Sequence, residues 1–230
     1  MGIFVCHNSR LFFHSTTEGN YSCLSIDDTN NLPNLIKEVE GNHHIYIDSS
    51  RFTLLPNVVF LASQAKDYFN LNFGSLDLHE RIYFTINSSF ELSNVFAIKK
   101  EVDDFRTLLP GTSFIEHFNT IILKYLKVSI PSFEPFLVVT PISVYFALKG
   151  EMKLQQLSVS DFENEIDVIY FFMAHLTSLE IKSIDAFHIS VLNDVPNFNL
   201  SSFEKQIKSI TLFKDTTMFN VDSAHLFLVK

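Results

Sequence analysis

Side chains able to do chemistry are plentiful in this chain of 230 residues, but their spacing withholds the arrangements that most chemistry needs. Nine histidines are scattered along it. His43 and His44 are adjacent, and His7 and His14 can meet in space, yet neither HxxxH nor HExxH occurs, the spacings that set two ligands on one helical face. A two-metal hydrolase needs several carboxylates converging on ions about 4 Å apart. Asp48, directly after an apolar run, can supply half of such a site, although Asp48-Ser-Ser50 reads equally well as a polar exit turn. Asp161, Glu163, Glu165 and Asp167 crowd one helix start, where the helix dipole accounts for them without a ligand. Serines are numerous, but no GxSxG places one on a nucleophile elbow. A backbone cradle for phosphate needs glycine, and the six glycines of the chain form no cluster. Cys6 and Cys23, the two cysteines, are too few for a disulfide framework and lie in no CxxC pattern; they are expected to be reduced, buried thiols.

The composition narrows the class further. Apolar residues make up 47% and mean hydropathy is +0.17, so a packed core is affordable and disorder is not expected. Seventeen Lys and Arg against 26 Asp and Glu leave a net charge of −9, without a dense basic cluster. A binder of nucleic-acid backbone needs one, so no nucleic-acid partner is expected. No apolar run approaches the roughly 20 residues of a membrane span, and Met1 to Cys6 lacks the basic and long apolar regions of a secretory signal. The expectation is a cytoplasmic protein without cofactor or metal.

The elements are legible as alternating apolar runs and punctuation. Ile3–Cys6, Leu11–His14 and Tyr21–Ile26 read as three strands, followed by a helix opened by Asp27 or Asp28 and carrying Leu32, Leu35, Ile36 and Val39. His44–Ile47 is a fourth strand. Phe52–Leu55 reads as a strand and Asn57–Phe69 as a helix with Val58, Leu61, Ala62, Ala65 and Phe69 on one face. Ile82–Ile86 and Phe90–Ile98 form a hairpin pair, Glu101–Leu109 a helix stopped by Pro110-Gly111, and Ser113-Phe-Ile-Glu116 a capping box opening a helix with Phe118, Ile121, Ile122 and Tyr125. Beyond the proline-bearing stretch Ser129–Pro135, strands at Phe136–Val139, Ile142–Leu148 and Met152–Val159 lead to a second capping box, Ser160-Asp-Phe-Glu163. Its helix shows Phe162, Ile166, Ile169, Tyr170, Met173 and Leu176 at helical spacing. Ala186–Val191, a helix capped at Ser201-Ser-Phe-Glu204, and a last strand at Ala224–Val229 complete the chain.

One half slides onto the other. An offset of 133 residues places Ile3–Cys6 on Phe136–Val139, Leu11–Phe13 on Val144–Phe146, and Leu24-Ser-Ile26 on Leu157-Ser-Val159 without a gap. Self-similarity at a fixed offset signals a repeated structural unit. Three antiparallel strands, a helix, a parallel strand and further helices, used twice, follow the order of two ribonuclease-H-like halves. The expected class is therefore α/β with mixed sheets in an actin-like ATPase arrangement. The first half spans 1–130 with an inserted α+β segment around 49–110, and the second spans 131–230.

The whole chain also resembles a bacterial family of unknown function assigned to that fold, through Phe52-Thr-Leu-Leu-Pro56, Asn94-Val-Phe-Ala-Ile98, the His117 region and Asp161–Phe171. The resemblance implies a fold and supplies no activity. Actin-like ATPases carry an Asp and glycines in the turn after the first strand of each half. Here those turns are His7-Asn-Ser-Arg10 and Thr140-Pro-Ile-Ser143; neither has either residue, and Pro141 lacks an N–H. The functional expectation is a non-catalytic scaffold or protein-interaction module. The alternative is a degenerate nucleotide-binding protein with its ligand between the halves. The insert is where a protein partner is expected: apolar residues at 69, 71 and 73 suggest a strand or loop offering anchors, with Leu71 and Phe73 as candidate contacts.

Overall fold

In the computed structural model, the structure describes residues 2–7, 10–15, 21–25, 41–192 and 195–227. The chain divides into two compact units, Met1–Thr120 and Ile121–Lys230. The helix expected over Asp27–Val39 lies outside the described residues.

The first unit is built on a five-stranded sheet of β1 (Gly2–His7), β2 (Arg10–Ser15), β3 (Tyr21–Ser25), β4 (His43–Ile47) and β8 (Ser113–His117), ordered β3-β2-β1-β4-β8. The second carries β9 (Phe136–Val139), β10 (Ser143–Lys149), β11 (Leu154–Asp161), β12 (Ala186–Val191) and β13 (Thr217–Asp222), ordered β11-β10-β9-β12-β13. The two orders are the same, and the likeness extends to register. Phe4 faces Phe13 and Cys6 faces Leu11; adding the sequence offset of 133 to each gives Leu137 facing Phe146 and Val139 facing Val144, the pairs observed. At the other side of the central strand, Asp48 N–H donates to the Cys6 carbonyl and Leu192 N–H to that of Val139, both at 2.9 Å. The repeat read in the sequence is thus a repeat of topology.

Two expectations about the fifth strands are corrected. Ser113–Glu116 opens no helix: it is β8, parallel to β4, and helix α3 (Phe118–Ser129) starts after it. Gly111, at φ +77°, makes the entry feasible, since a Cβ there would stand 2.5 Å from the Gly41 carbonyl oxygen. The last strand is Thr217–Asp222, in place of Ala224–Val229; Ser223–Leu226 is a short helix capped by the Asp222 side chain.

Phenylalanine fills the cores. In the first sheet every second residue, Phe4, Cys6, Ile45, Ile47 and Ile115, faces Phe96, Ile98 and helix α2 (Lys100–Leu108), with Phe4 edge-on to Phe105 at 5.3 Å. In the second unit β9 and β10 are buried throughout, as central strands covered on both faces must be. Helix α4 (Glu165–Ser178) lays Val168, Ile169, Phe172 and Leu176 on them. Of the expected face, Phe162, Ile169, Met173 and Leu176 pack on the core, but Ile166 and Tyr170 are 51% and 72% exposed. The cap explains it. Ser160 and Asp161 are spent pairing with β10, so the box moves to Asn164, whose Oδ1 accepts from Ile166 N–H while Asp167 Oδ2 accepts from Asn164 N–H. Asn199 likewise replaces Ser201 as the cap of α5 (Leu200–Lys208), whose Phe203 and Ile207 are buried as expected.

Residues 48–112 hold the insert. A three-stranded antiparallel sheet of β5 (Phe52–Pro56), β6 (Glu80–Asn87) and β7 (Leu92–Lys99), ordered β5-β7-β6, buries Phe96 and Ile98 against the first unit's core. Helix α1 (Ala65–Phe73) covers the opposite face with Ala65 and Phe69. The helix expected from Asn57 is corrected to begin at Ala65. Asn57 is held to the hairpin by Ser93 and Glu91, and extended backbone at Phe60 and Leu61 separates a first 3-10 turn (Asn57–Val59) from a second (Ala62–Gln64) that leads directly into α1. Phe69 to Phe73 is accordingly helix, and the apolar alternation at 69, 71 and 73 marks no strand.

Candidate functional site

The turn joining β9 to β10 occupies the place where this topology would cradle a phosphate, and its donors are already used. Thr140 Oγ1 accepts from the N–H groups of Ser143 and Ile142 at 2.9 and 3.4 Å, Thr140 N–H donates to the Ser143 carbonyl at 2.9 Å, and Pro141 has no N–H to offer. Thr140 and Ser143 are fully buried. A threonine side chain sits where a phosphate oxygen would need backbone donors. In the equivalent turn between β1 and β2, residues 8 and 9 lie outside the described residues.

At the strand ends of the first unit a buried polar set gathers Asp48, His117, Asn119 and Asn94, each at most 2% exposed. His117 Nε2–H donates to the Ser49 carbonyl at 2.9 Å and Nδ1 accepts from Asn119 N–H at 3.2 Å, which assigns the neutral Nε2–H tautomer. Burial pushes its pKa down to about 3, against the opposing pull of the Ser49 carbonyl and Asn119. Asn94 Nδ2, from the insert, donates to Asn119 Oδ1 at 2.8 Å. The set staples the β4 exit, the β8 exit and the insert; a histidine so occupied is a strut with no spare proton to exchange near neutrality.

The remaining candidates resolve individually. His43 and His44 fall on opposite faces of β4: His43 is buried, while His44 stacks on Phe114 at 5.2 Å and pairs with Glu116 at 3.3 Å. The side chains of His7, His14 and Cys23 lie outside the described residues. Burial pushes the Cys6 thiol up to about 12, Lys99 opposing and Asp48 adding to it. In the acidic stretch, Asp167 caps α4 and Glu165 accepts from Asn199 N–H at 2.8 Å, tying α4 to α5.

The insert carries the exposed apolar surface. Seven of the fifteen exposed large apolar side chains of the described residues lie between Val58 and Ile86. Leu71 is 83% exposed on α1, whereas Phe73 is half-buried and packs on the insert's own core, 5.0 Å from Phe69. Sequence reasoning had not singled out Phe84 and Ile86, 41% and 64% exposed on β6. Their alternation with Thr85 was a signal for them, since β6 pairs only with β7 among the described residues. Phe60 leans on Phe84 at 5.1 Å and on Tyr68 at 6.0 Å. No helix among the described residues is long and apolar enough to cross a membrane.

A family model described as "Protein of unknown function (DUF3822)" matches residues 26–202. Among solved structures, a Bacteroides thetaiotaomicron protein with an actin-like ATPase fold and unknown function is similar at a TM-score of 0.67 and 17% identity, over 95% of this chain and 90% of that one. The PilM–PilN type IV pilus biogenesis complex is similar at a TM-score of 0.55 and 10% identity, over 94% and 89% of the two chains. No curated protein matches. At such identities the likeness establishes the fold, and the fold is that of the actin-like ATPases.

Proposed function

Because the chain belongs to the DUF3822 family of proteins of unknown function and has an actin-like ATPase fold, we propose that it is a non-catalytic, cytoplasmic protein-interaction module whose insert receives the partner. The observation that carries this reading is the concentration of exposed apolar side chains between Val58 and Ile86. Such residues scattered singly need no explanation, but a concentration of them marks an interaction surface. Among the described residues β6 is an edge strand that pairs only with β7, and beside Phe84 and Ile86 it offers the arrangement to which an extended segment of another protein can add as a further strand. The self-closed Thr140 turn weighs against a bound nucleotide. That PilM, on a related fold, occurs in complex with PilN supports the idea that this architecture can serve assembly.

Capture of partners by immobilised protein tests the proposal. Leu71→Asp and the double variant Phe84→Asp plus Ile86→Asp place charge on side chains that are already exposed, so both are expected to fold. Phe73 is avoided because it packs inward. Loss of the captured protein with either variant supports the insert; capture equal to that of the unaltered chain by both variants rejects it.

A further inference from the structure

The second unit contains a cavity of about 680 Å³, away from the Thr140 turn. It opens where β9 and β12 begin and α4 ends, and its size falls within the roughly 300–1,000 Å³ of small-ligand sites. Leu148, Leu179, Ile181 and Ile184 give it an apolar floor. Its charged lining residues are Glu134 and Asp185, both acids. Among the described residues the Asp185 carboxylate has no partner, and Glu134 is engaged through Oε2 with His188 Nε2 at 2.6 Å. The ammonium of neighbouring Lys149 is turned to the Lys127 carbonyl at 3.0 Å. Helix α4 terminates at Leu179 on the cavity wall, and the C-terminal end of a helix favours positive charge.

Phe133 lines the same cavity, 56% exposed as a residue, with its backbone at φ +68°. Left-handed backbone is costly for an aromatic residue, and such strain gathers at ligand clamps. The conformation is held by Phe133 N–H donating to the Lys149 carbonyl at 2.8 Å. The ring therefore gains little from burial while the backbone is strained to present it.

We infer that this cavity binds an organic cation on an apolar stem, with Asp185 and Glu134 as counter-charges and the Phe133 ring as the aromatic face. An arginine or lysine side chain of a peptide and a free polyamine share this chemistry. An apolar floor takes the stem, and carboxylates and a ring face take the head. The site lies in the unit that lacks the insert, so its failure would leave the insert proposal standing, and the reverse.

Calorimetric titration with three probes tests it: a capped Gly-Arg-Gly peptide, spermidine, and a capped Gly-Glu-Gly peptide. At least one cation saturates and the acidic peptide does not. Asp185→Asn weakens that cation about tenfold or more. Phe133→Gly weakens it as well while leaving the melting temperature unchanged or raised, because glycine adopts φ +68° without strain. Tighter binding of the arginine peptide identifies a protein segment as the source, and tighter binding of spermidine a free polyamine. Failure of both cations to saturate by about 10 mM, equal binding of the acidic peptide, or unchanged affinity in both variants overturns the inference.

Discussion

His117 shows how a residue with catalytic potential becomes a structural one. Both ring nitrogens are used, one donating to Ser49 and one accepting from Asn119, and protonation would set Asn119 N–H against a second N–H. Its folded pKa of about 3 lies below the ordinary 6.5. The unfolded chain therefore takes up a proton that the folded chain refuses, and stability falls as pH drops from about 6.5 towards 3. Burial lowers His43 and His175 in the same direction. Urea unfolding at pH 7 and pH 4.5 should show the loss, and His117→Gln should be less stable at pH 7 yet lose less on acidification. The difference between the two losses is expected to be on the order of 2–3 kcal/mol. Equal losses would show that His117 titrates normally in the folded state.

Among the elements, helix caps decide where the chain turns from strand to helix. Asn164→Ala removes the acceptor for two first-turn N–H groups of α4 and should cost about 1 kcal/mol. Ser160→Ala, within β11, should cost little, which a pair of thermal melts can establish. The sequence shows two capping patterns, at Ser113–Glu116 and Ser160–Glu163, that the structure spends on strands. A Ser-x-x-Glu spacing carries no record of whether a neighbouring strand will claim the same backbone, as β4 claims β8 and β10 claims β11. Strands whose burial is set by apolar runs, such as β9, β10 and β12, were legible for the opposite reason: the run is itself the cause of the burial. On α4 the exposure of Ile166 and Tyr170 was not legible, because both continue the helical spacing outward, where composition alone cannot separate core from surface. At the insert, Leu71 was legible as apolar and Phe84 and Ile86 were not singled out, because exposure depends on how far α1 extends over the sheet. The Asn94–Asn119 contact was not legible, since it joins residues from separate elements with no motif between them.

At the scale of the whole molecule, two sheets of the same order repeat with the register of their first hairpins preserved, while the turn chemistry has gone elsewhere. The fold persists because its β-strands bury their side chains regardless of what the turns bind, and the Phe-rich cores illustrate that independence. In the second unit a threonine satisfies the turn from within, so a nucleotide would have to break two hydrogen bonds before making any. Growth of the first unit between its fourth and fifth strands, over residues 48–112 against 192–216 in the second, puts the added surface on the insert. A calorimetric titration of the purified chain with Mg-ATP tests the closed turn most directly. No saturable heat is expected up to several times 1 mM, a concentration scale that corresponds to roughly 4 kcal/mol of binding free energy; a dissociation constant tighter than about 1 mM would contradict the closed turn and the non-catalytic reading together.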